Sequence, residues 1–341
     1  MSKHVAVVGA GIAGIEAASI LNAMGHSITL IEKNEILGGH INHWHQLFPN
    51  RRQGRDLLEK LYEKMDDSIQ VQYGKEITSI KPFSGKFIVT AADGWVTNAD
   101  AVLMATGFDL FDAHKKEEYG YGIYDHVITS ADLEEIFIQG EGLNPRLGKD
   151  PQRIGFIHCV GSRDEKAGNI YCSKVCCITA VKQAIEIKEL YPSVEVYCFY
   201  MDLRMFGRHY EELYQEAQEK HNIQFIRGRL SEASENKQGG VVVKVEDTLL
   251  GKPLKLTLDL LVLMSGMVAP VAVTNMRDKL GLAKVDDGFL KPVDPHTQAN
   301  LSELPGFFMA GTATGPKTIT DTLTDARSAA LEIDRFLKEI I

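Results

Sequence analysis

The sequence lacks any long hydrophobic run. No window reaches about eighteen uninterrupted apolar residues, the length that indicates a membrane-spanning helix. The amino-terminal MSKHVAVVGAG also lacks a charged region followed by an apolar stretch and a small-residue cleavage site. From these absences we expect no transmembrane segment, no export signal and a location in the cytoplasm.

Positive charge is scarce as well. The formal net charge is -9 at pH 7, and the chain has no basic tract and no run of cations interleaved with aromatic residues. Phosphate backbones are bound by clustered lysine and arginine, so nucleic acid is excluded as a partner. A chain of 341 residues with 44% hydrophobic and 24% charged residues is instead typical of a globular protein with two domains.

Cysteine is rare outside one segment. Four of the five cysteines lie within CVGSRDEKAGNIYCSKVCC, at Cys159, Cys172, Cys176 and Cys177. A structural disulfide is disfavoured in a reducing cytoplasm, which leaves metal binding or redox chemistry. We expect the fifth, Cys198 in VYCFY, to be a small buried apolar residue.

The amino-terminal segment predicts a strand, a glycine turn, a helix and a second strand. Gly9, Gly11 and Gly14 satisfy G-x-G-x-x-G between the first strand and the helix, and Glu32 ends the second strand. Such glycines allow a tight turn and a close approach of pyrophosphate, and such an acid binds ribose hydroxyls. We therefore predict an adenine dinucleotide site; the alternative is a glycine turn that serves packing alone.

Further segments resemble the flavoproteins with two dinucleotide-binding domains. These are the pair Gly38-Gly39, the segment VLMATG, and the carboxy-terminal FFMAGTATGPKTITDTLTDARSAALEIDRFL. The resemblance implies FAD, with one departure, because Thr312 stands where the family usually has an acid. A helix beginning near Thr318 would aim its positive dipole end at the flavin, and Lys317 either adds to that charge or is a solvated lysine.

The residues that we expect to contact FAD lie in four segments of the chain. They are Gly9, Gly11, Ala13, Gly14, Glu32, Lys33, Gly38, Gly39, His40, Ala105, Thr106, Gly107, Gly311, Thr312, Lys317, Thr318 and Ile319.

A second unit of the same order follows, without a nucleotide loop. RIGFIHC predicts a strand, CCITAVKQAIEIKELYP a helix and VEVYCFYMD a strand, but the connection holds the cysteines instead of G-x-G-x-x-G. We therefore expect no NAD(P)H binding of the usual kind there. Zinc usually draws on C-x2-4-C pairs, whereas C-x12-C-x3-C-C splays the thiolates as a [4Fe-4S] cluster requires. Zinc and unligated redox thiols remain alternatives.

The predicted fold is therefore α/β, with two Rossmann-like domains of the thioredoxin-reductase-like flavoprotein type. The FAD domain is discontinuous, at residues 1–140 and 285–341, with a small β insert at about 70–108. Residues 150–284 form the second domain, which carries the cluster in place of the NAD(P) loop.

The cysteine segment allows a closer identification. HCVGSRD, YCSKVCCITAVKQA, YMDLRMFGRHYEELY and FIRGRL closely resemble the A-type flavoprotein subunits of heterodisulfide reductases. The resemblance implies that Cys159, Cys172, Cys176 and Cys177 hold a [4Fe-4S] cluster near FAD. It also implies a homodimer and, as partners, iron-sulfur subunits of the B and C types.

This chain departs from the methanogen-type subunits, which carry ferredoxin-like cysteine motifs and further cysteines after the glycine pair. Here that region is HINHWHQLFPNRRQGRDLL, without cysteine. The chain therefore looks like the compact form found in the bacterial sulfur-oxidising heterodisulfide-reductase-like complex. In that complex a lipoate-binding protein is an indirect partner, as the carrier of the sulfur substrate.

The predicted function is electron transfer by FAD and the cluster between partner subunits and an acceptor. The sequence identifies no catalytic acid, base or nucleophile. Two alternatives stand: an NAD(P)H-dependent disulfide oxidoreductase, and a zinc-bearing scaffold that keeps FAD for stability alone.

Several other side chains have two interpretations each. His45, like His43, has no carboxylate close in sequence, and we expect it at the flavin site or on the surface. His158 is a packed residue or a hydrogen-bond donor to the cluster. Arg204 and Arg208 are solvated or lie near the cluster or a partner.

Overall fold

The structure is a computed structural model that describes residues 2–339. Its strands are β1 His4–Val8, β2 Ser27–Ile31, β3 Gln46–Leu47, β4 Arg52–Gln53, β5 Gln70–Gln72, β6 Ile77–Phe83, β7 Lys86–Ala91, β8 Val96–Ala99, β9 Ala101–Met104, β10 Asp109–Leu110, β11 Val127–Thr129, β12 Arg153–Val160, β13 Glu195–Tyr200, β14 Gln224–Arg227, β15 Leu230–Glu235, β16 Val241–Asp247, β17 Lys252–Leu258, β18 Leu260–Ser265, β19 Met267–Val268 and β20 Phe307–Met309. Its α-helices are α1 Ile12–Ala23, α2 Gly54–Tyr62, α3 Ser130–Gln139, α4 Asn144–Leu147, α5 Cys176–Leu190, α6 Tyr210–Glu219, α7 Val271–Leu280 and α8 Ile319–Glu339.

The chain divides into two compact units. The first comprises the chain up to Asn42, Arg55–Asp109 and the chain from Val268 onward; the second comprises His43–Gly54 and Leu110–Met267. No helix within residues 2–339 has the length and apolar character needed to cross a bilayer.

The first unit is built on a parallel sheet of order β20-β9-β1-β2-β5. Most residues of β1 and β2 are buried, and β9 and β20 are buried throughout, as expected for parallel strands covered on both faces. Helices α1 and α8 pack on one face, where alanines keep their surfaces close to the strands. The antiparallel sheet β6-β7-β8 lies on the other face.

The antiparallel sheet is narrower than the insert predicted at about 70–108. It spans Ile77–Ala99, because β5 and β9 at the two ends of that range pair in parallel with β2 and β1. Short strands of both kinds carry the same apolar pattern, so their partners decide which sheet they join.

The second unit repeats the design with a parallel sheet of order β11-β18-β12-β13-β14. Strand β11 pairs with β18 of this sheet, and α3 follows β11 behind a capping box at Thr129. Residues 110–139 therefore pack in the second unit and not in the FAD domain to which the sequence assigned them. The unit also extends to Met267 rather than to 284.

Strand β12 occupies the topological switch point of the second sheet. The strand order runs away from it in both directions, through β13 and through β18, so the loop after β12 leaves at the site where such sheets bind ligands. The register with β18 shifts between Ile157 and Val160, and Cys159 has a φ of 60°. The β12 strand thus ends in a bulge, a feature common beside functional sites.

Candidate functional site

The predicted FAD residues gather at one edge of the first sheet. Gly9 follows β1, Glu32 follows β2, Ala105 follows β9 and Ala310 follows β20. Because these four neighbouring strands are parallel, their carboxyl ends lie side by side. Such an edge is where open α/β sheets bind nucleotides.

The three glycines of the turn have different surroundings. A Cβ on Gly9 would lie 2.5 Å from the carbonyl oxygen of Ala105, and one on Gly14 would lie 1.9 Å from that of Gly9. A Cβ on Gly11 would meet nothing within 4 Å. Packing therefore requires the first and third glycines, whereas the second faces open space before α1, as a pyrophosphate site needs.

Glu32 is buried and fixed by backbone amides. Its Oε2 accepts a hydrogen bond from Ala10 N at 2.9 Å, and its Oε1 accepts one from Asn34 N at 2.9 Å. These bonds hold the carboxylate against the glycine turn, and each oxygen keeps a lone pair for a ribose hydroxyl. Its neighbour Lys33 is exposed.

The pair Gly38-Gly39 packs on the same turn. Gly38 N donates to Ala10 O at 2.8 Å, and a Cβ on Gly39 would lie 3.2 Å from Gly11 Cα. The next residue, His40, stacks on Phe108 with ring centroids 4.2 Å apart, and its Nε2 lies 2.8 Å from Phe108 O. Sequence reasoning missed Phe108, although it directly follows the Ala105–Gly107 segment.

Thr106 leaves a buried polar atom without a partner. Its Oγ1 is buried and makes no hydrogen bond to the described residues. Next to it, a Cβ on Gly107 would lie 3.9 Å from Thr312 Oγ1. An unsatisfied buried hydroxyl at the sheet edge fits a site that binds a polar ligand.

An acid on α8 replaces the one missing at Thr312. Asp325 accepts a hydrogen bond from Gly311 N at 2.7 Å and one from Asn300 Nδ2 at 2.8 Å. Lys317 Nζ lies 3.4 Å from Asp325 Oδ2 and donates to Gly311 O at 2.9 Å. A Cβ on Gly311 would lie 2.9 Å from the Cβ of Ala13, so this turn packs directly on α1.

Helix α8 begins at Ile319, one residue after Thr318. Thr318 Oγ1 accepts from Asp321 N at 3.1 Å, and Thr318 N donates to Asp321 Oδ2 at 3.4 Å, so the pair forms a capping box. The helix therefore begins where the sequence predicts it, in the first unit.

The four clustered cysteines meet at the carboxyl end of β12, and all are free thiols. Cys159 lies in the β12 bulge, Cys172 in the following loop, and Cys176 and Cys177 in the first turn of α5. Cys159, Cys176 and Cys177 are buried. Among residues 2–339, no set of three or more Cys, His, Asp or Glu side chains is arranged to hold a metal ion.

The thiols are close enough to change each other's pKa. A hydrogen bond from Cys176, together with the charges of Arg163 and Arg204, lowers the pKa of Cys159 against the effect of burial. The hydrogen bond to Cys159, burial and the nearby thiols raise the pKa of Cys176. Burial raises the pKa of Cys177 to about 12.

Donors to sulfur surround these cysteines. Lys174 N donates to Cys172 Sγ at 3.3 Å, and the Arg204 amide bonds to Cys177 and opposes the rise of its pKa. Thiols at one sheet edge with N–H donors and cations beside them fit a thiolate-bound metal cluster. Arg208 is exposed.

The place of an NAD(P)H phosphate loop is filled by protein. A Cβ on Gly161, the glycine directly after β12, would lie 2.0 Å from Phe111 Cγ, whereas Gly11 faces open space. Asp202, after β13, stands where an acid would bind ribose, but Arg163 Nη2 and Arg227 Nη2 lie 2.8 Å and 3.3 Å from its oxygens.

His158 is packed, as one of its two interpretations has it, and His45 has a carboxylate partner from a distant part of the chain. Both ring nitrogens of His158 are buried without a hydrogen-bond partner among the described residues, and burial lowers its pKa to about 4. His45 Nδ1 lies 3.0 Å from Glu186 Oε1, and Lys182 contacts both Glu186 and Glu134. His45 thus lies partly exposed in the second unit beside Glu186, a partner that sequence spacing did not reveal.

Comparison with solved structures confirms the predicted fold class. The thioredoxin reductase of Lactococcus lactis is 17% identical with a TM-score of 0.70, covering 99% of this chain and 100% of that one. That of T. acidophilum is 20% identical with a TM-score of 0.68, and the match covers both chains completely. A family profile described as pyridine nucleotide-disulphide oxidoreductase matches residues 3–137.

Comparison with curated sequences confirms the resemblance to the A-type subunits. The first of two A-type iron-sulfur subunits of the CoB--CoM heterodisulfide reductase of Methanopyrus kandleri is 45% identical over 241 residues, 68% of this chain and 36% of the relative. The A-type subunit of the Ferredoxin/F(420)H(2)-dependent CoB-CoM heterodisulfide reductase of Methanosarcina acetivorans is 29% identical over 423 residues, 98% of this chain and 53% of the relative. The chain thus spans about a third to a half of the length of these relatives, which are reductases, the class of enzyme predicted from the sequence.

Proposed function

Because this chain is a relative of the A-type subunits of the heterodisulfide reductases, we propose that it is the FAD- and [4Fe-4S]-carrying electron-transfer subunit of a heterodisulfide-reductase-like complex. The observation that carries the proposal is the gathering of four thiols at the switch point of the second sheet, where a phosphate loop would otherwise lie. The proposed activity is that of an oxidoreductase.

FAD is the cofactor of the first unit in this proposal. The open space beside Gly11 accepts the pyrophosphate, Glu32 binds the ribose hydroxyls, and the free hydroxyl of Thr106 gains a partner. The other residues that we expect to contact FAD lie at the sheet edge, in the Gly38-Gly39 pair and at the start of α8. When bound, the flavin supplies exchange of one or two electrons.

Cys159, Cys172, Cys176 and Cys177 are the proposed cluster ligands, and the cluster supplies transfer of single electrons. The hydrogen bond to Cys159 and burial raise the pKa of Cys176, and burial raises the pKa of Cys177, so both thiols would give up a proton on binding the cluster. Deprotonation accompanies metal binding. Arg163 and Arg204 then favour the thiolate of Cys159.

The proposed subtype rests on two features that this chain lacks, namely inserted residues and further cysteines. The alignment with the Methanosarcina acetivorans relative is longer than this chain, so that relative carries inserted residues that this chain does not have. The segment 40–58 also has no cysteine. We therefore propose the compact form of the bacterial sulfur-oxidising complex, in the cytoplasm, with B and C type iron-sulfur subunits, a homodimer, and a lipoate-binding protein as an indirect partner.

The choice of electron donor tests this function. The anaerobically purified protein is mixed with NADH, with NADPH or with dithionite, while flavin absorbance and the cluster EPR signal are followed. We expect dithionite to reduce both groups and the nicotinamides to leave the flavin oxidised, because Phe111 and the Arg163–Asp202 pair fill their site. A thioredoxin reductase is the positive control. Bleaching of the flavin by NADH or NADPH at the control's rate would contradict the proposal.

A further inference from the structure

Arg163 carries a buried guanidinium nitrogen, Nη1, in the loop that holds the cysteines. The residue lies in the cysteine loop, where its backbone N donates to Tyr171 O at 2.9 Å and its φ is 54°. Its Nη2 donates to Asp202 Oδ2 at 2.8 Å. Its Nη1 is buried and makes no hydrogen bond within residues 2–339. A buried charged donor without an acceptor is costly, so the site is incomplete as it stands.

The unsatisfied donor belongs to a guanidinium beside two of the cysteines. The Asp202 hydrogen bond raises the pKa of Arg163 most, burial opposes it, and the charges of Cys159 and Cys172 raise it further. In return, the pKa of Cys159 is lowered first by the hydrogen bond from Cys176 and then by Arg163, through its charge and a weaker side-chain hydrogen bond to the thiol. The acceptor that Nη1 lacks is thus expected on the side of these sulfurs.

Asp202 binds the guanidinium of Arg163 and also contacts the cysteine cluster. Its carboxylate receives Arg163 on one oxygen and Arg227 Nη2 on the other, at 3.3 Å. Its backbone oxygen also receives Cys177 Sγ at 3.7 Å, and Arg227 Nε donates to Met201 O at 3.2 Å. The planar fork of arginine can serve the carboxylate and a sulfur at once, which the single ammonium of lysine cannot do with the same geometry.

We propose that Arg163 is a positioning residue for the iron-sulfur cluster: held by Asp202, it donates its free Nη1–H to a sulfur of the cluster held by Cys159 and Cys172. This inference rests on the proposed function. A hydrogen bond and a positive charge at the sulfur stabilise the reduced cluster, which is the more negative state, more than the oxidised one. Arg163 therefore makes the cluster easier to reduce.

The midpoint potential of the cluster tests the proposal directly. The variants are Arg163→Gln, Arg163→Lys and, as the matched control, Arg227→Gln, which removes the other partner of Asp202. Each is titrated anaerobically with EPR detection of the cluster, and the flavin potential serves as an internal reference. For Arg163→Gln we expect at least about a tenfold fall in the ratio of reduced to oxidised cluster at a fixed potential, ~59 mV for one electron.

Arg163→Lys keeps the charge and should fall between Arg163→Gln and the wild type. Arg227→Gln should keep the wild-type cluster potential, and the flavin potential should stay the same throughout. Equal cluster potentials in the wild type and Arg163→Gln, both with full iron content, would overturn the proposal. So would loss of the cluster from both Arg163 variants and not from the control, because the role of Arg163 would then be assembly. A wild-type protein without iron would instead refute the proposed function itself.

Discussion

At the scale of single residues, two glycines in the loops after β1 and β12 have different surroundings. Gly11 lies beside empty space at the edge of the first sheet, and Gly161 lies against the ring of Phe111 in the second unit. Both segments follow a buried strand and precede a helix. The loop after β1 thus leaves room beside Gly11, whereas an aromatic ring lies against the glycine that follows β12.

The glycine turn gives a prediction that separates cofactor binding from folding. Gly11→Ala should fold with wild-type stability but lose most of its FAD, because the new Cβ enters the space kept for the pyrophosphate. Gly14→Ala should instead fail to fold or lose several kcal/mol, since its Cβ would lie 1.9 Å from Gly9 O. Flavin absorbance per mole of protein and thermal unfolding measure the two effects. A Gly11→Ala protein with full flavin content would contradict the assignment of the pyrophosphate to this turn.

Residues that belong to short sequence motifs were predictable. Residues whose contacts are far away in the sequence were not. The Gly9–Gly14 turn and the four cysteines are motifs, readable because turn geometry and ligand spacing need them within a few residues. Asp325 and Asp202 carry no such signal. Asp325 binds Gly311 fourteen positions away, and Asp202 binds Arg163 thirty-nine positions away, so only the fold brings each pair together.

At the scale of elements, α1 and α8 of the first unit are joined by a buried carboxylate. Glu16 on α1 is 3% exposed and receives Arg327 Nε of α8 at 2.7 Å and Lys64 Nζ at 2.9 Å. Burial by itself would raise the pKa of Glu16, but these two hydrogen bonds and charges outweigh it and hold the pKa below its usual value of 4.5. The carboxylate thus stabilises the packing of the two helices that flank the predicted FAD edge.

Glu16→Gln should lower the free energy of unfolding by about 1–3 kcal/mol at neutral pH, because it removes two charge-assisted hydrogen bonds. A depressed carboxyl pKa stabilises the fold above the unfolded value and loses that effect as pH falls through the folded value. The difference between wild type and variant should therefore shrink once the pH falls below 4.5. Urea unfolding across that range, with Glu59→Gln of the exposed Arg55 pair as control, measures it. A gap that persists in acid would contradict this account.

The types and order of the strands and helices were predicted better than the sheet or unit to which each one belongs. The first strand, helix and strand of each unit follow the expected order because their apolar periods are long and regular. Strand β11 was assigned to the wrong unit, since three buried residues contain no information about whether β18 or another strand pairs with them. The ends of the β insert were misplaced for the same reason.

At the scale of the whole molecule, the repetition of the βαβ order predicted the fold class, which is confirmed, whereas the expected loss of nucleotide binding in the second unit stays a prediction. The boundaries between units escaped prediction because the chain crosses between them more than once, at positions such as 43 and 55 that have no distinct composition. What distinguishes this molecule is therefore the content of two sheet edges: the first has a glycine turn beside open space, and the second carries four cysteines.

Anaerobic analysis of iron, zinc and labile sulfide, with an EPR spectrum after reduction, tests the central claim most directly. The wild type should contain about four irons and four sulfides per chain and give a reduced-cluster signal. Cys176→Ala should lose the intact cluster, whereas Cys198→Ala, which alters a fully buried cysteine of the same unit outside the proposed ligand set, should keep it. Stoichiometric zinc without iron, or an unchanged cluster in Cys176→Ala, would contradict the account.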